Sequence, residues 1–76
     1  MNYTDRIVSD HRIMLGKPVI KGTRITVELI IKKMSEGATV EDILKMYDHL
    51  RRDDIMAALA YAADLLAGEE TIAQAS

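Results

Sequence analysis

The chain reads as a mainly α domain: three short helices preceded by an N-terminal β-hairpin, and dimeric. Three observations predict it. Two successive segments, 27–34 and 40–47, place apolar residues at i, i+3, i+4 and i+7, and each follows a threonine fit to cap a helix. A third segment, MAALAYAADLLA over 56–67, is apolar almost without interruption, with Asp64 its only charge. Ahead of all three lies GKPVIKGTRI, residues 16–25, which holds the only proline and two of the four glycines.

Seventy-six residues make one domain, 1–76, divided into a hairpin arm (5–25), a three-helix core (26–67) and a flexible tail (68–76). A chain this short buries only about 60–65 % of the surface it exposes when unfolded, so its core needs reinforcement. With no cysteine, disulfides and thiolate metal sites are excluded, and His11 and His49 are the only soft ligands, far apart in sequence. No cofactor or metal is expected, and oligomerisation is the remedy left. No apolar run approaches the ~20 residues that span a bilayer, and the N-terminus lacks a signal-peptide core, which predicts a cytoplasmic protein with no membrane partner.

The formal net charge of −2 argues against nucleic acid, but its distribution is uneven. Residues 1–24 carry five basic and two acidic side chains, residues 25–52 five of each, and residues 53–76 five acids and no base. The chain runs from a basic arm to an acidic tail.

Arg6 to Ser9 reads as a short strand and Val19 to Ile25 as a second, bent at Lys21-Gly22, where glycine accepts a positive φ. Two such strands are marginal alone and need the helices or another subunit behind them. Thr26 caps the first helix, Val27, Ile30, Ile31 and Met34 form its apolar stripe, and Gly37 ends it. Thr39 and Asp42 form a capping box for the second helix, whose stripe is Val40, Ile43, Leu44 and Tyr47. Leu50 packs inward from the following turn. The third helix runs from about Arg52 to Ala67, stopped by Gly68.

The third helix carries the prediction of a dimer. Ile55, Leu59, Ala62 and Leu66 form one face that packs on the first two helices. Met56, Ala60, Ala63 and Ala67 form a second, with Tyr61 and Leu65 beside it. A helix apolar nearly all round must be buried nearly all round, and two short helices cover one side only. Met56, Ala60, Tyr61, Ala63 and Leu65 are therefore the expected dimer or partner interface. An alanine-rich surface with high helix propensity is the plainer alternative.

The second and third helices have the spacing of a helix-turn-helix, a signal shared by any compact three-helix domain. Arg51 and Arg52 would then meet phosphates or guanine edges. Asp53 and Asp54 behind them would repel DNA, and are more simply read as acids complementing the helix dipole. Beyond them the helix offers Ala57, Ala58 and Tyr61, a poor set for base readout. Arg12, Lys17, Lys21 and Arg24 of the arm, doubled in a dimer, could grip phosphates; lysines guarding exposed strand edges are the competing explanation.

Catalysis has little footing. Ser9, Asp10 and His11 are adjacent in extended chain, where neighbouring side chains point to opposite faces. Gly16-Lys17 and Gly22-Thr23 do not follow the order of a phosphate loop. An enzyme is not expected.

Over residues 5–64 the strand RIVSD, the segment GKPVIKGTRI, the helix start TVELI, the unit EGATVEDILKMYDHL and the run DDIMAALAYAAD resemble, in order and spacing, a small family known as "domain of unknown function four-thirty-three". The resemblance implies a homeodomain-like helix-turn-helix core with an N-terminal hairpin, assembled as a homodimer. It also implies an antitoxin of a toxin–antitoxin pair, with operator DNA and a PIN-like, metal-dependent ribonuclease toxin as partners. Two departures stand out. Such proteins usually place Thr or Ser where this chain has Arg51, and the tail Glu69–Ser76 lacks the basic residue that would enter an acidic toxin site. The expectation is an antitoxin-like DNA-binding regulator, contacting DNA through Lys17, Lys21, Arg24, Arg51 and Arg52, with a protein-interaction module without DNA binding as the alternative.

Overall fold

A computed structural model of the chain describes the backbone of residues 3–75 and the side chains of residues 3–68. It is mainly helical. Strands β1 (Ile7–Val8) and β2 (Val19–Ile20) precede helices α1 (Val27–Ser35), α2 (Val40–Met46) and α3 (Arg52–Ala75), with 3-10 turns at Tyr3–Asp5 and Met14–Gly16.

The hairpin is smaller than its sequence predicts. β1 and β2 pair antiparallel over two residues each, Ile7 opposite Ile20 and Val8 opposite Val19. The predicted second strand ends at Ile20 because the chain turns there. Thr23 donates its backbone N–H to the Ile20 carbonyl at 3.0 Å, and Gly22 has φ +80°, the value its place in a type II turn requires. The chain then doubles back along β2: the Ile20 N–H reaches the Ile25 carbonyl at 2.9 Å, and the Val27 N–H reaches the Pro18 carbonyl at 3.0 Å. β2 is thus flanked on both sides, and Val19 and Ile20 are buried.

Local signals set the helix ends. The Thr26 hydroxyl accepts from the Leu29 N–H at 3.0 Å. At the far end Gly37, at φ +105°, closes a Schellman motif: Gly37 N–H donates to the Met34 carbonyl and Ala38 N–H to the Lys33 carbonyl, each at 3.0 Å. Both halves of the Thr39/Asp42 capping box are present. The Thr39 contacts hold the Asp42 carboxyl below the ordinary aspartate range.

Ile30, Ile43 and Ile55, one from each helix, are fully buried and form the centre of the core with Ile7, Ile20 and Leu50. Ile31, Met34, Val40, Leu44 and Tyr47 of the predicted stripes pack half-buried around them.

Helix α3 departs from the sequence reading twice. It does not stop at Gly68 but continues to Ala75, because one glycine inside a helix costs about 1 kcal/mol and does not by itself break the ladder. The flexible tail assigned to 68–76 therefore begins inside a helix, and the side chains of 69–76 lie outside the described residues. Second, Ala57 and Ala58, which lie on neither of the two predicted apolar faces, are completely buried. With no side chain beyond Cβ they let the start of α3 approach the other elements closely. Ile55 of the predicted packing face is buried as expected, but Leu66 on that same face is 59 % exposed.

Candidate functional site

The most connected polar site joins the hairpin to the start of α3. Arg6 lies next to β1, 48 residues before Asp54 in the chain. Its Nη1 donates to Asp54 Oδ1 at 2.9 Å, and its Nη2 lies 3.7 Å from Asp53 Oδ2. The other Asp54 oxygen accepts the backbone N–H of Arg51 at 2.9 Å. On its other side, the Arg6 carbonyl accepts the Lys21 N–H at 2.8 Å. One continuous set of contacts thus runs from the Lys21 turn through Arg6 and Asp54 to Arg51.

This arrangement answers two questions left by the sequence. Arg51 has no side-chain acceptor to cap α3, yet Asp54 reaches back to the Arg51 N–H, supplying the acidic half of a capping box without its hydroxyl partner. Asp53 and Asp54 also do not stand as bare negative charge beside Arg51, because Arg6 pairs with both.

The five cations read as DNA contacts divide into two groups. Lys17 Nζ pairs with Glu28 Oε1 at 2.8 Å, and Arg52 pairs with Glu41 of α2. These partners hold both glutamates below their ordinary range. Among the described residues, the side chains of Lys21, Arg24 and Arg51 form no ion pair, and all three are exposed. Arg12, also of the arm, is held by Asp10 through both its guanidinium and its backbone N–H. Asp10 is thereby committed to Arg12, not to His11.

The predicted interface on α3 is likewise divided. Met56, Ala60 and Tyr61 are half-buried within the subunit, while Ala63 and Leu65 are exposed. Part of the cover comes from Tyr3, ahead of the hairpin arm. Tyr3 packs edge-on against Tyr61, ring centres 5.5 Å apart and planes at 83°. Its hydroxyl bonds to Asp64, which raises the tyrosine pKa above its ordinary value. The aromatic pairing had no signal in the sequence beyond the two tyrosines themselves.

From residue 63 to residue 68 every side chain of α3 is exposed. An apolar groove of about 500 Å³ opens at this point, between α1 and α3, lined by Pro18, Val27, Ile31, Tyr61, Leu65 and Leu66 among others. No helix among the described residues is long and apolar enough to cross a membrane.

These features define a mainly helical three-helix domain with a short antiparallel hairpin ahead of it. More particularly, the chain belongs to the family described as "Protein of unknown function (DUF433)", whose model matches residues 7–62. It is also similar to an uncharacterized protein of Archaeoglobus fulgidus, 54 % identical over 28 residues, a stretch that covers 37 % of this chain and 78 % of the relative. No solved structure matches the chain.

Proposed function

We propose that the protein is a dimeric, antitoxin-like regulator that binds operator DNA through the edge formed by the hairpin turn and the start of α3. The observation that carries this reading is the contact path from Lys21 through Arg6 and Asp54 to Arg51. It ties the turn that carries Lys21 to the start of α3 at Arg51, two of the predicted cations that form no ion pair among the described residues. Around it Arg6 pairs with Asp53 and Asp54, and Arg52 with Glu41, so the acids at the start of α3 are offset within the subunit. Helices α2 and α3, joined by residues 47–51, supply the helix-turn-helix spacing. A homodimer doubles the positive edge, and a PIN-like ribonuclease is the toxin such a regulator would accompany.

With Ala57 and Ala58 in the core, binding rests on phosphate contacts more than on base edges. Three unpaired cations in each of two subunits would give a log–log salt slope of about −5. Fluorescence anisotropy on the DNA upstream of the gene tests this. Lys21→Ala is expected to flatten the slope by about 2 in a dimer, one for each subunit. No binding at ~50 mM salt, with or without a co-expressed toxin, would sink the DNA reading.

Between Arg52 and Gly68 the helix carries no further basic or amide side chain, which supports a second reading, a protein-interaction module without DNA binding. Co-purification with the product of a neighbouring gene, unaffected by Arg51→Ala with Arg52→Ala, would favour it.

A further inference from the structure

The connection between the strands holds an unusual turn. Met14 and Leu15 have φ of +50° and +58°, and Gly16 follows at +83°. The left-handed region suits glycine but crowds the Cβ of any other L residue, and a turn with two such residues in succession ordinarily takes Asn, Asp or Gly there. Two backbone hydrogen bonds hold the turn: Gly16 N–H to the Ile13 carbonyl at 3.0 Å and Lys17 N–H to the Met14 carbonyl at 3.1 Å. The result is a leucine presented to solvent, Leu15 at 92 % exposure, with Met14 beside it at 41 %.

This knob stands next to the groove between α1 and α3. Lys17, immediately after the turn, pairs with Glu28 on the groove's rim, and Pro18, the next residue, lines its wall. Leu15 does not fill the groove of its own subunit, as its exposure shows. A protruding apolar side chain thus stands three residues along the chain from Pro18, which lines an apolar recess of about 500 Å³. A two-fold interface requires just such a pairing, because every patch must meet its complement in an identical copy.

We propose that the Met14-Leu15 turn of one subunit seats in the α1/α3 groove of a second copy of this chain, and the reverse, forming the contact of the homodimer. The inference rests on the dimeric reading above and deepens it by assigning the surface. A stable dimer buries about 800 Å² per partner, more than one leucine provides. The exposed Leu65 and Leu66 on the groove's α3 wall supply further apolar surface beside the seated turn. A nucleic acid does not fit this recess, whose walls are mainly hydrocarbon.

Leu15→Asn tests the proposal without disturbing the fold, because asparagine tolerates the left-handed region and the side chain touches little within the subunit. Sedimentation velocity is expected to show a dimer for the wild-type chain at ~100 µM and a dimer Kd raised about a hundredfold or more in the variant, the loss expected for two buried leucines, one from each subunit. The melting temperature of the dilute monomer should not fall. Because the chain has no cysteine, single replacements report on proximity. Leu15→Cys mixed with Leu66→Cys under oxidising conditions should give the mixed disulfide well above Leu15→Cys mixed with Lys45→Cys on α2. A wild-type dimer whose Kd is unchanged by Leu15→Asn, with no preference in the mixed disulfide, overturns the assigned surface and leaves the dimer intact. A wild-type chain that stays monomeric at ~100 µM overturns both.

Discussion

Helix α3 contains two stretches of nearly the same composition in opposite surroundings. MAALA, residues 56–60, lies inside the subunit, with Ala57 and Ala58 fully buried. ADLLA, residues 63–67, is exposed along its whole length, and Leu65 and Leu66 keep 57 % and 59 % of their surface open. The first is covered because α1, α2 and the hairpin converge on Ile55 and the alanines beside it. The second stands across an open groove from α1, and a helix of 24 residues extends about 36 Å, longer than the neighbouring elements can cover. Apolar composition thus marks surface that gains from cover, while the lengths of the neighbouring elements decide which part receives it within the subunit.

The largest test of this contrast compares one large side chain from each half. Ile55→Ala should cost about 2–5 kcal/mol in urea unfolding, since it empties a site with no exposure at the centre of the core. Leu66→Ala should change the stability of the dilute protein by no more than about 0.5 kcal/mol, as for most exposed substitutions. Comparable losses from both in dilute solution would show that the two halves are not differently covered.

The middle-sized effect concerns how the buried half is anchored. Arg6 holds Asp54, whose side chain is only 13 % exposed, and removing the guanidinium leaves that carboxylate short of a charged donor. Arg6→Ala should cost about 1–3 kcal/mol, the range for a hydrogen-bonded group left unsatisfied when partly buried. Lys17→Ala removes an ion pair whose partners are 53 % and 71 % exposed, and should cost less than about 1 kcal/mol. A double-mutant cycle with Asp54→Ala isolates the Arg6 coupling from lost packing. Zero coupling would mean that the hairpin does not fasten the start of α3 through this pair.

What could be read from the sequence was local. Thr26, Gly37, Thr39 and Asp42 announce helix ends because their partners lie within five residues, and the stripes around Ile30 and Ile43 follow from helical periodicity alone. The inward Leu50 was legible for a similar reason, as a lone apolar residue in a short turn. What remained hidden depends on distant or strained contacts. Nothing near Arg6 marks Asp54 as its partner, and nothing in HRIMLG requires Met14 and Leu15 to turn left-handed. The five cations were identifiable as residues, but their division into paired and unpaired depends on whether Glu28 and Glu41 come within reach. The strands were overestimated for the converse reason: β-branched residues mark a tendency to extend, and the Gly22 turn reverses the chain before that tendency is spent.

The smallest effect tests whether the two halves of α3 are one helix at all. Gly68 lies at the end of the exposed stretch, and its backbone is not left-handed, unlike that of Gly16, Gly22 and Gly37. A Cβ at this position would meet no atom within 4 Å beyond its chain neighbours and the backbone of its own helix. Gly68→Ala should therefore raise helicity, measured by far-ultraviolet circular dichroism, and should stabilise the end of α3 by about 0.5–1 kcal/mol, the difference between the two residues inside a helix. The sign is what matters. Were Gly68 instead a left-handed residue closing the helix, as Gly37 closes α1, alanine would be strained there and helicity would fall. Gly37→Ala, with φ +105° in the starting structure, supplies that opposite case within the same protein. A loss of helicity from both substitutions would end α3 at Gly68 and shorten the exposed half to the segment that lines the groove.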